Sequence, residues 1–293
     1  MPSLSFDQVA HAYDATRGYP DVVARQIVQA IERVANATAQ TRFLEVGVGT
    51  GRIAFPLASL GHTYTGVDIS EKMVKQLQEK LRATHWQEQN QPWGSLLDED
   101  TKRSSVVRRY ANPERSALVR LVMSDITQLP FSRESFDIAI AVHIFHLVDG
   151  WQRAVQEVLR VLRPGGVLLH CWDEHGKMDV QDISEEWQKI LTALGGKTRR
   201  PGASSVHFVT ERLTEQGLQT QRIQAVDWER SVTPREIVEN ITHRLWSNTW
   251  SIPDSIFVPA SERLTTWANE RYSTDMDTPR IQDCRFVISK TVV

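Results

Sequence analysis

A glycine-rich loop at the end of a short apolar run constrains this fold more than any other sequence feature. The run Arg42–Val46 carries Glu45 near its end, and Gly47, Gly49 and Gly51 follow at alternate positions. Glycine accepts positive φ and lets a ligand approach the backbone, and the start of a following helix offers unpaired N–H groups. The loop therefore predicts a nucleotide-like ligand at a strand-to-helix turn.

The spacing of these glycines separates the loop from two common phosphate sites. The dinucleotide fingerprint is G-x-G-x-x-G, whereas here the third glycine comes one residue early and Arg52 occupies its position. The phosphate loop of nucleoside triphosphatases requires Gly-Lys-Ser/Thr, which does not follow here. A redox enzyme of the Rossmann class is therefore disfavoured.

Strand-like and helix-like runs alternate through the first two-thirds of the chain. The predicted strands are Arg42–Val46, Thr63–Val67, Val119–Met123, Phe136–Val142 and Val167–Cys171, with a last strand over Arg285–Val292. The predicted helices are Val22–Val34, Thr50–Leu60, Ser70–Arg82 and Trp151–Leu162. This alternation predicts an α/β fold, doubly wound, with a mostly parallel sheet and helices on both faces.

Further motifs follow the glycine loop in a fixed order. Gly66-Val67-Asp68-Ile69 ends the second predicted strand, Met123-Ser124-Asp125-Ile126 ends the third, and Leu162-Arg163-Pro164-Gly165-Gly166 precedes the fifth. As a set, they resemble the class I (Rossmann-like) S-adenosylmethionine-dependent methyltransferases, in the type 11 or ubiquinone/menaquinone-like branch. The resemblance covers about residues 6–173. It implies one domain over residues 1–293, with a seven-stranded sheet whose last strand is antiparallel.

The resemblance implies S-adenosyl-L-methionine as the cofactor and places its contacts. Asp68 would accept hydrogen bonds from the ribose hydroxyls, and Asp125 from the adenine amino group. Residues 6–20, here called the N-terminal segment, resemble a family segment that folds over the cofactor, with Arg17 pairing its carboxylate. The cofactor-binding residues implied are Tyr13, Arg17, Tyr19, Glu45, Gly47, Gly49, Gly51, Asp68, Ile69, Met73, Asp125, Ile126 and Val142.

Methyl transfer from a sulfonium requires alignment and, for some acceptors, removal of a proton, so no obligatory catalytic motif exists. His146 and His143 follow the fourth predicted strand and are the candidate catalytic bases, because imidazole titrates near neutrality. The alternative is that one contacts the cofactor through its backbone and the other packs. Asp173 and His175 follow the fifth strand and are candidate substrate contacts. No metal site is predicted, because the spacing of metal ligands is missing.

Two stretches interrupt the alternating pattern. Residues 83–117 are polar, with charges of both signs, and predict an insertion or solvated flap rather than an RNA-binding arm. Residues 231–283 predict a helical cap inserted before the last strand. Tryptophans in or beside this cap would form either an aromatic wall for an apolar or cationic substrate or part of a core. They are Trp228, Trp246, Trp250 and Trp267.

The charge balance gives no general attraction to nucleic acid, since 34 Lys and Arg residues face 36 Asp and Glu residues. We see no secretory signal and no apolar run long enough for a membrane span, so a cytoplasmic protein is expected. Taken together, the sequence predicts transfer of a methyl group to a small-molecule acceptor. An RNA or protein methyltransferase, or a cofactor-binding regulator without catalysis, remains an alternative, and the oligomeric state is open.

Overall fold

The computed structural model describes residues 3–89, 107–176 and 180–293. The chain divides into two compact units. The first unit comprises Met1–Trp172, Pro201–Val226 and Phe286–Val293, and the second comprises Asp173–Arg200 and Asp227–Arg285.

The helices and strands of the described residues have the following bounds. The helices are α1 Ala10–Arg17, α2 Asp21–Ala35, α3 Ala54–Ala58, α4 Glu71–Arg82, α5 Trp151–Val161, α6 Gln181–Ala193, α7 Val206–Glu215, α8 Pro234–Thr242 and α9 Asp254–Tyr272. The strands are β1 Arg42–Val46, β2 Thr63–Asp68, β3 Gln87–Glu88, β4 Val107–Asn112, β5 Ala117–Met123, β6 Phe136–Val142, β7 Leu162–His175, β8 Thr220–Val232 and β9 Arg280–Val292.

The strands form one mixed sheet in the order β3-β4-β5-β2-β1-β6-β7-β9-β8. Strands β5, β2, β1, β6 and β7 are parallel to one another. Strand β9 runs antiparallel to β7, because Gly165 bonds Val293 while Gly176 bonds Asp283. The predicted α/β class with a mostly parallel sheet and an antiparallel last strand is confirmed.

The sheet has nine strands in the described part of the chain, two more than the resemblance implied. The additional strands, β3 and β4, come from the stretch 83–117, and β4 pairs antiparallel with β5. Residues 90–106, the middle of the predicted flap, lie outside the described residues. The described ends of this stretch therefore widen the sheet at one edge.

The predicted helix Thr50–Leu60 is wrong at its start, since α3 covers only Ala54–Ala58. Gly51 adopts φ +79° and its N–H donates to the Val48 carbonyl, so the chain first completes a turn. Residues 50–53 therefore form a turn rather than the first turn of a helix, because glycine permits the left-handed conformation at position 51. Ser70, by contrast, caps α4 as expected, because its Oγ accepts the Met73 N–H.

The core of the first unit lies between the sheet and helices α5 and α7. All seven residues of β6 are buried, as expected for a central strand covered on both faces. Helix α5 contributes Ala154, Val155, Val158 and Val161, spaced to face the sheet. This packing fixes the carboxyl ends of β1, β2, β5 and β6, from which open α/β sheets bind ligands.

The second unit has a separate apolar core between helices α6, α8 and α9. Trp187 of α6 and Phe257 of α9 are buried there with their ring centroids 5.9 Å apart. Thr233 caps α8, and Pro234 takes the first helical position. The predicted cap over residues 231–283 contains α8 and α9, and the structure adds α6 to the same core. No helix of the described residues is long and apolar enough to span a membrane.

Candidate functional site

The glycine loop folds back from β1 onto the end of β2. The N–H groups of Gly47 and Val48 both donate to the Val67 carbonyl, at 2.8 and 3.0 Å. Gly47 has φ +78°, and a Cβ atom there would lie 2.6 Å from Cδ1 of Ile144. Glycine is therefore required at position 47 by the backbone conformation and by the side chain that packs on it.

Asp68 holds the middle of this loop. Its Oδ2 accepts the Gly49 N–H at 2.7 Å, and its Oδ1 accepts the Ser70 N–H at 2.8 Å. Burial raises the pKa of Asp68, while these backbone hydrogen bonds oppose the rise. Each carboxylate oxygen can accept more than one hydrogen bond, so Asp68 can still accept hydrogen bonds from the hydroxyls of a ligand. The next residue, Ile69, leaves 47% of its surface exposed.

The second predicted acidic contact lies at the end of the neighbouring strand β5. Met123 pairs with Asp68 in the sheet, and the Ser124 N–H donates to the Asp68 carbonyl at 3.1 Å. Asp125 is exposed, and its Oδ1 accepts the Thr127 N–H at 2.8 Å. Ile126, the following residue, is buried. The structure therefore brings Asp68 and Asp125 to adjacent strand ends.

Met73 lies directly below the glycine loop on α4. The side chain is buried, and a Cβ atom at Gly49 would lie 3.2 Å from its Cε. Leu77, one turn further along the helix, covers Gly51 in the same way, since a Cβ atom at Gly51 would lie 2.3 Å from Leu77 Cδ1. Helix α4 thus supports the loop from one side.

Glu45 is buried at the end of β1. The Tyr64 hydroxyl donates to its Oε2 at 2.7 Å. Burial raises the pKa of Glu45 to about 8, although the Tyr64 hydrogen bond and the Arg52 charge act in the opposite direction. Glu45 is therefore mainly protonated at neutral pH, and it links β1 to β2.

The N-terminal segment is tied to helix α4 and the glycine loop. Asp7 Oδ1 accepts the Ser70 hydroxyl at 2.7 Å and the Lys72 N–H at 3.0 Å. Asp14 Oδ1 accepts the Thr50 hydroxyl at 2.6 Å, and Asp14 Oδ2 lies 2.6 Å from Lys80 Nζ. These two aspartates anchor the segment, and the sequence analysis assigned them no role, because the signal is tertiary.

The predicted aromatic and basic contacts of the N-terminal segment lie around its helix α1. The Arg17 guanidinium is 5.8 Å from the ring centroids of both Phe6 and Tyr13. Arg52 of the loop donates to the Arg17 carbonyl at 2.8 Å and lies 4.4 Å from the Tyr19 ring. The structure therefore gathers Tyr13, Arg17 and Tyr19 next to the glycine loop.

Residues 143–149 form a tight turn after β6, here called the histidine turn. His143 has φ +49°, and its N–H donates to the Cys171 carbonyl at 3.1 Å. His146 lies in a short 3₁₀ helix, and its carbonyl accepts the Gly202 N–H at 3.2 Å. Both histidines are half-buried, and Val142 before them is buried. Ile144 joins this turn to the glycine loop through its contact at position 47.

Two other chain segments hold the histidine turn. The Leu4 N–H donates to the Leu147 carbonyl at 2.9 Å, and the Ala203 N–H donates to the Phe145 carbonyl at 3.0 Å. A Cβ atom at Gly202 would lie 2.0 Å from the Phe145 carbonyl oxygen, so only glycine fits there. The turn is thus fixed by contacts far apart in sequence.

A further histidine, His170, which was not among the predicted site residues, lies beside the histidine turn. His170 on β7 is 4% exposed, and its ring lies 5.2 Å from Phe145 and 5.4 Å from Trp172. Burial, with a smaller contribution from His143, lowers the pKa of His170 to about 3. A neutral imidazole therefore lies beside the histidine turn. Only its position directly before Cys171 on a predicted strand could have indicated it.

The remaining candidates lie in the second unit. The His175 Nδ1 lies 3.4 Å from Cys284 Sγ. Trp246 and Trp267 pack against the helical core, and the Trp250 Nε1 donates to the Arg244 carbonyl at 2.6 Å, which favours the core alternative for these tryptophans. No group of metal-ligating side chains occurs among the described residues.

Comparison with known proteins gives concordant matches. Residues 44–168 match the family model described as a methyltransferase domain. An uncharacterized methyltransferase of Mycobacterium bovis is 28% identical over 245 residues, covering 83% of this chain and 77% of the relative. The demethylmenaquinone methyltransferase of Clavibacter sepedonicus is 30% identical over 171 residues, covering 58% of this chain and 56% of the relative. The crystal structure of the YcgJ protein from Bacillus subtilis aligns with a TM-score of 0.51 at 18% identity, covering 90% of this chain and 97% of that one.

Proposed function

We propose that this chain, whose residues 44–168 match a methyltransferase domain, uses S-adenosylmethionine to methylate a small-molecule acceptor and that the histidine turn removes the acceptor's proton. The observation that carries this proposal is the contact between Ile144 and Gly47. This contact supports a position for the histidine turn next to the loop that we assign to the methyl donor.

The residues around the loop fit this cofactor. The Asp68 carboxylate retains acceptor capacity for two ribose hydroxyls, and Asp125 lies at the adjacent strand end for an exocyclic amine. Ile69 between them leaves an apolar side chain half exposed, as suits the face of a purine ring. Arg17, stacked near Phe6 and Tyr13, supplies a guanidinium for a carboxylate. These features support the predicted residues as the cofactor site.

When bound, the sulfonium cofactor supplies an activated methyl group. The chain must then align the acceptor atom, exclude water and accept a proton where the acceptor carries one. Of the two candidates, His143 directly follows β6 and lies one residue from the glycine loop contact, whereas His146 is three residues further along the turn. We therefore assign the base role to His143, with His146 as the alternative.

A small acceptor is favoured over RNA by the charge balance of the chain, 34 basic against 36 acidic residues. The name of the Clavibacter relative, a demethylmenaquinone methyltransferase, also agrees with a small aromatic acceptor.

The test is a labelling experiment. The purified protein is incubated with a metabolite extract, and separately with total RNA, using S-adenosylmethionine that carries a ¹³C-methyl group. We expect a labelled small molecule, detected by mass spectrometry, with His143→Asn as the inactive comparison. Label found only in RNA, or in the protein fraction, would contradict the small-molecule proposal.

A further inference from the structure

His170 carries a buried imidazole that is not one of the two candidate bases. It pairs with Ala141 of β6 across the sheet, two residues before His143. Its Nδ1 is buried and has no hydrogen-bond partner in the described part of the chain. A buried polar atom without a partner costs free energy, so it is a candidate for a partner that arrives during function.

The second imidazole at this place belongs to His143. The backbone N–H of His143 donates to the carbonyl of Cys171, the residue after His170, so the two histidines lie within two positions of each other along the paired strands β6 and β7. His170 is disfavoured as a cation by burial and, in addition, by charge on His143. The same two segments also carry the His146 imidazole, on the histidine turn, and the buried Cys171 thiol, next to His170 in the chain. His170 is therefore a neutral imidazole at neutral pH.

A histidine base needs different hydrogen-bond partners once it has taken up a proton. Neutral imidazole has one N–H donor and one acceptor nitrogen, whereas imidazolium has two N–H donors and no acceptor. A hydrogen bond from a charged donor is stronger than one between neutral groups. His170, kept neutral, offers a ring nitrogen that accepts such a bond when its other nitrogen carries the proton.

We propose that His170 is a positioning residue whose Nδ1 accepts an N–H of the His143 imidazolium while the acceptor is methylated. The inference rests on the proposed function and narrows its substrate class to acceptors with a removable proton, namely a hydroxyl, an N–H or an acidic C–H. For a hydroxyl or N–H acceptor, a lone pair of X forms the new X–CH3 bond and the electrons of the X–H bond stay on X; for an acidic C–H, the electrons of the C–H bond form the new bond. The electrons of the C–S bond remain on sulfur as the thioether. The proton goes to His143 and afterwards to water.

The experiment follows the histidines directly by NMR, in ¹⁵N-histidine-labelled protein saturated with S-adenosylhomocysteine. In His170→Phe, which keeps an aromatic ring of similar size but offers no acceptor, we expect the pKa of His143 to fall by about one unit, a tenfold loss of proton affinity. His170→Gln, whose amide oxygen accepts, should restore most of that pKa. An unchanged pKa of His143 in folded His170→Phe would overturn the proposal, as would titration of wild-type His170 near neutral pH.

A wild-type measurement covers the case in which His170→Phe does not fold. At a pH where His143 is protonated, a ¹⁵N–¹⁵N coupling across the hydrogen bond should connect its ring to Nδ1 of His170. Absence of that coupling, with both resonances assigned and the proton in slow exchange, contradicts the proposal.

Calorimetry on the same samples separates this inference from the proposed function. Wild type and both His170 variants should bind S-adenosylhomocysteine with affinities within about twofold of one another, because the ring of His170 packs against Phe145 and Trp172, which are not among the predicted cofactor residues. Lack of binding by wild type would reject the proposed function itself. Normal binding together with an unchanged His143 pKa would reject only the role of His170.

Discussion

The Thr50 hydroxyl of the glycine loop donates to Asp14 of helix α1 at 2.6 Å. Lys80 of α4 pairs with the same carboxylate and also donates to the Thr50 carbonyl at 2.8 Å. One carboxylate therefore joins the N-terminal segment, the loop and the helix beneath it. Contacts between distant segments therefore hold the loop in place, in addition to the conformations of its glycines.

We expect Asp14→Ala to weaken S-adenosylhomocysteine binding by about threefold to tenfold, or ~0.7–1.4 kcal/mol, because the N-terminal segment loses its anchor on the loop. The segment should also become more sensitive to limited proteolysis. Calorimetry and a timed protease digest measure the two effects. Asp21→Ala, a change of an exposed acidic residue at the start of α2, is the control and should alter neither. Equal behaviour of the two variants would contradict the anchoring role.

Asp68→Ala should weaken S-adenosylhomocysteine binding by at least about tenfold, ~1.4 kcal/mol, since it removes the proposed acceptor for the ribose hydroxyls and releases the Gly49 N–H. Glu71→Ala, which changes an exposed carboxylate in the first turn of α4, should bind as wild type does. Isothermal calorimetry measures both. Retained affinity in Asp68→Ala, or tight NAD binding without S-adenosylhomocysteine binding in wild type, would refute the assigned cofactor site.

Gly51→Ala should destabilise the protein more than Gly217→Ala, although both glycines have nearly the same φ, +79° and +80°. A Cβ atom at position 217 meets nothing within 4 Å, so that variant carries only the left-handed strain of about 1–2 kcal/mol. At position 51 the Cβ would lie 2.3 Å from Leu77 Cδ1, which adds overpacking of about 1–3 kcal/mol. Urea unfolding measures the difference. Equal losses would mean that Leu77 moves aside without cost.

Glu45→Gln should change how stability depends on pH. Between the ordinary carboxyl pKa of 4.5 and the raised value of about 8, the folded protein keeps a proton on Glu45 that the unfolded chain releases. Stability from this group is therefore complete below the lower pKa and is lost as the pH rises, by at most about 1.4 kcal/mol per pH unit. Glutamine keeps an oxygen for the Tyr64 hydroxyl and carries no charge, so the variant should gain stability relative to wild type as the pH rises.

Urea unfolding at several values from about pH 5 to about pH 8 tests this expectation, with Glu71→Gln as an exposed control whose difference from wild type should stay nearly constant. A constant difference for Glu45→Gln as well would show that Glu45 is ionised in the folded protein.

The local elements were predictable where neighbouring residues determine them. Strands β1 and β6 have the predicted bounds, because each is a short apolar run bounded by polar or turn residues. Ser70 was predictable as a cap for the same reason. The start of α3 was not, since Gly51 takes a turn conformation that the helical pattern of the following residues conceals.

Contacts between distant segments were beyond the reach of sequence patterns. No sequence pattern marks Asp7 or Asp14, yet their carboxylates accept hydrogen bonds from the hydroxyls of Ser70 and Thr50. His170 follows an apolar run like any strand residue, and only its register with Ala141 brings it near His143. The proposed cofactor residues could be named from the sequence because an ordered set of motifs resembles a known family, whereas the acceptor site carries no such motif.

The left-handed backbone at His143, with φ +49°, affects how any mutational survey of this protein should be read. Asparagine and glycine tolerate that conformation better than alanine or a branched residue does. An alanine scan would therefore combine a folding defect with the loss of the imidazole and overstate the chemical importance of the position. His143→Asn is therefore the variant to compare with wild type. If only His, Asn and Gly are functional at position 143 in a saturation library, selection acts on the backbone conformation alone.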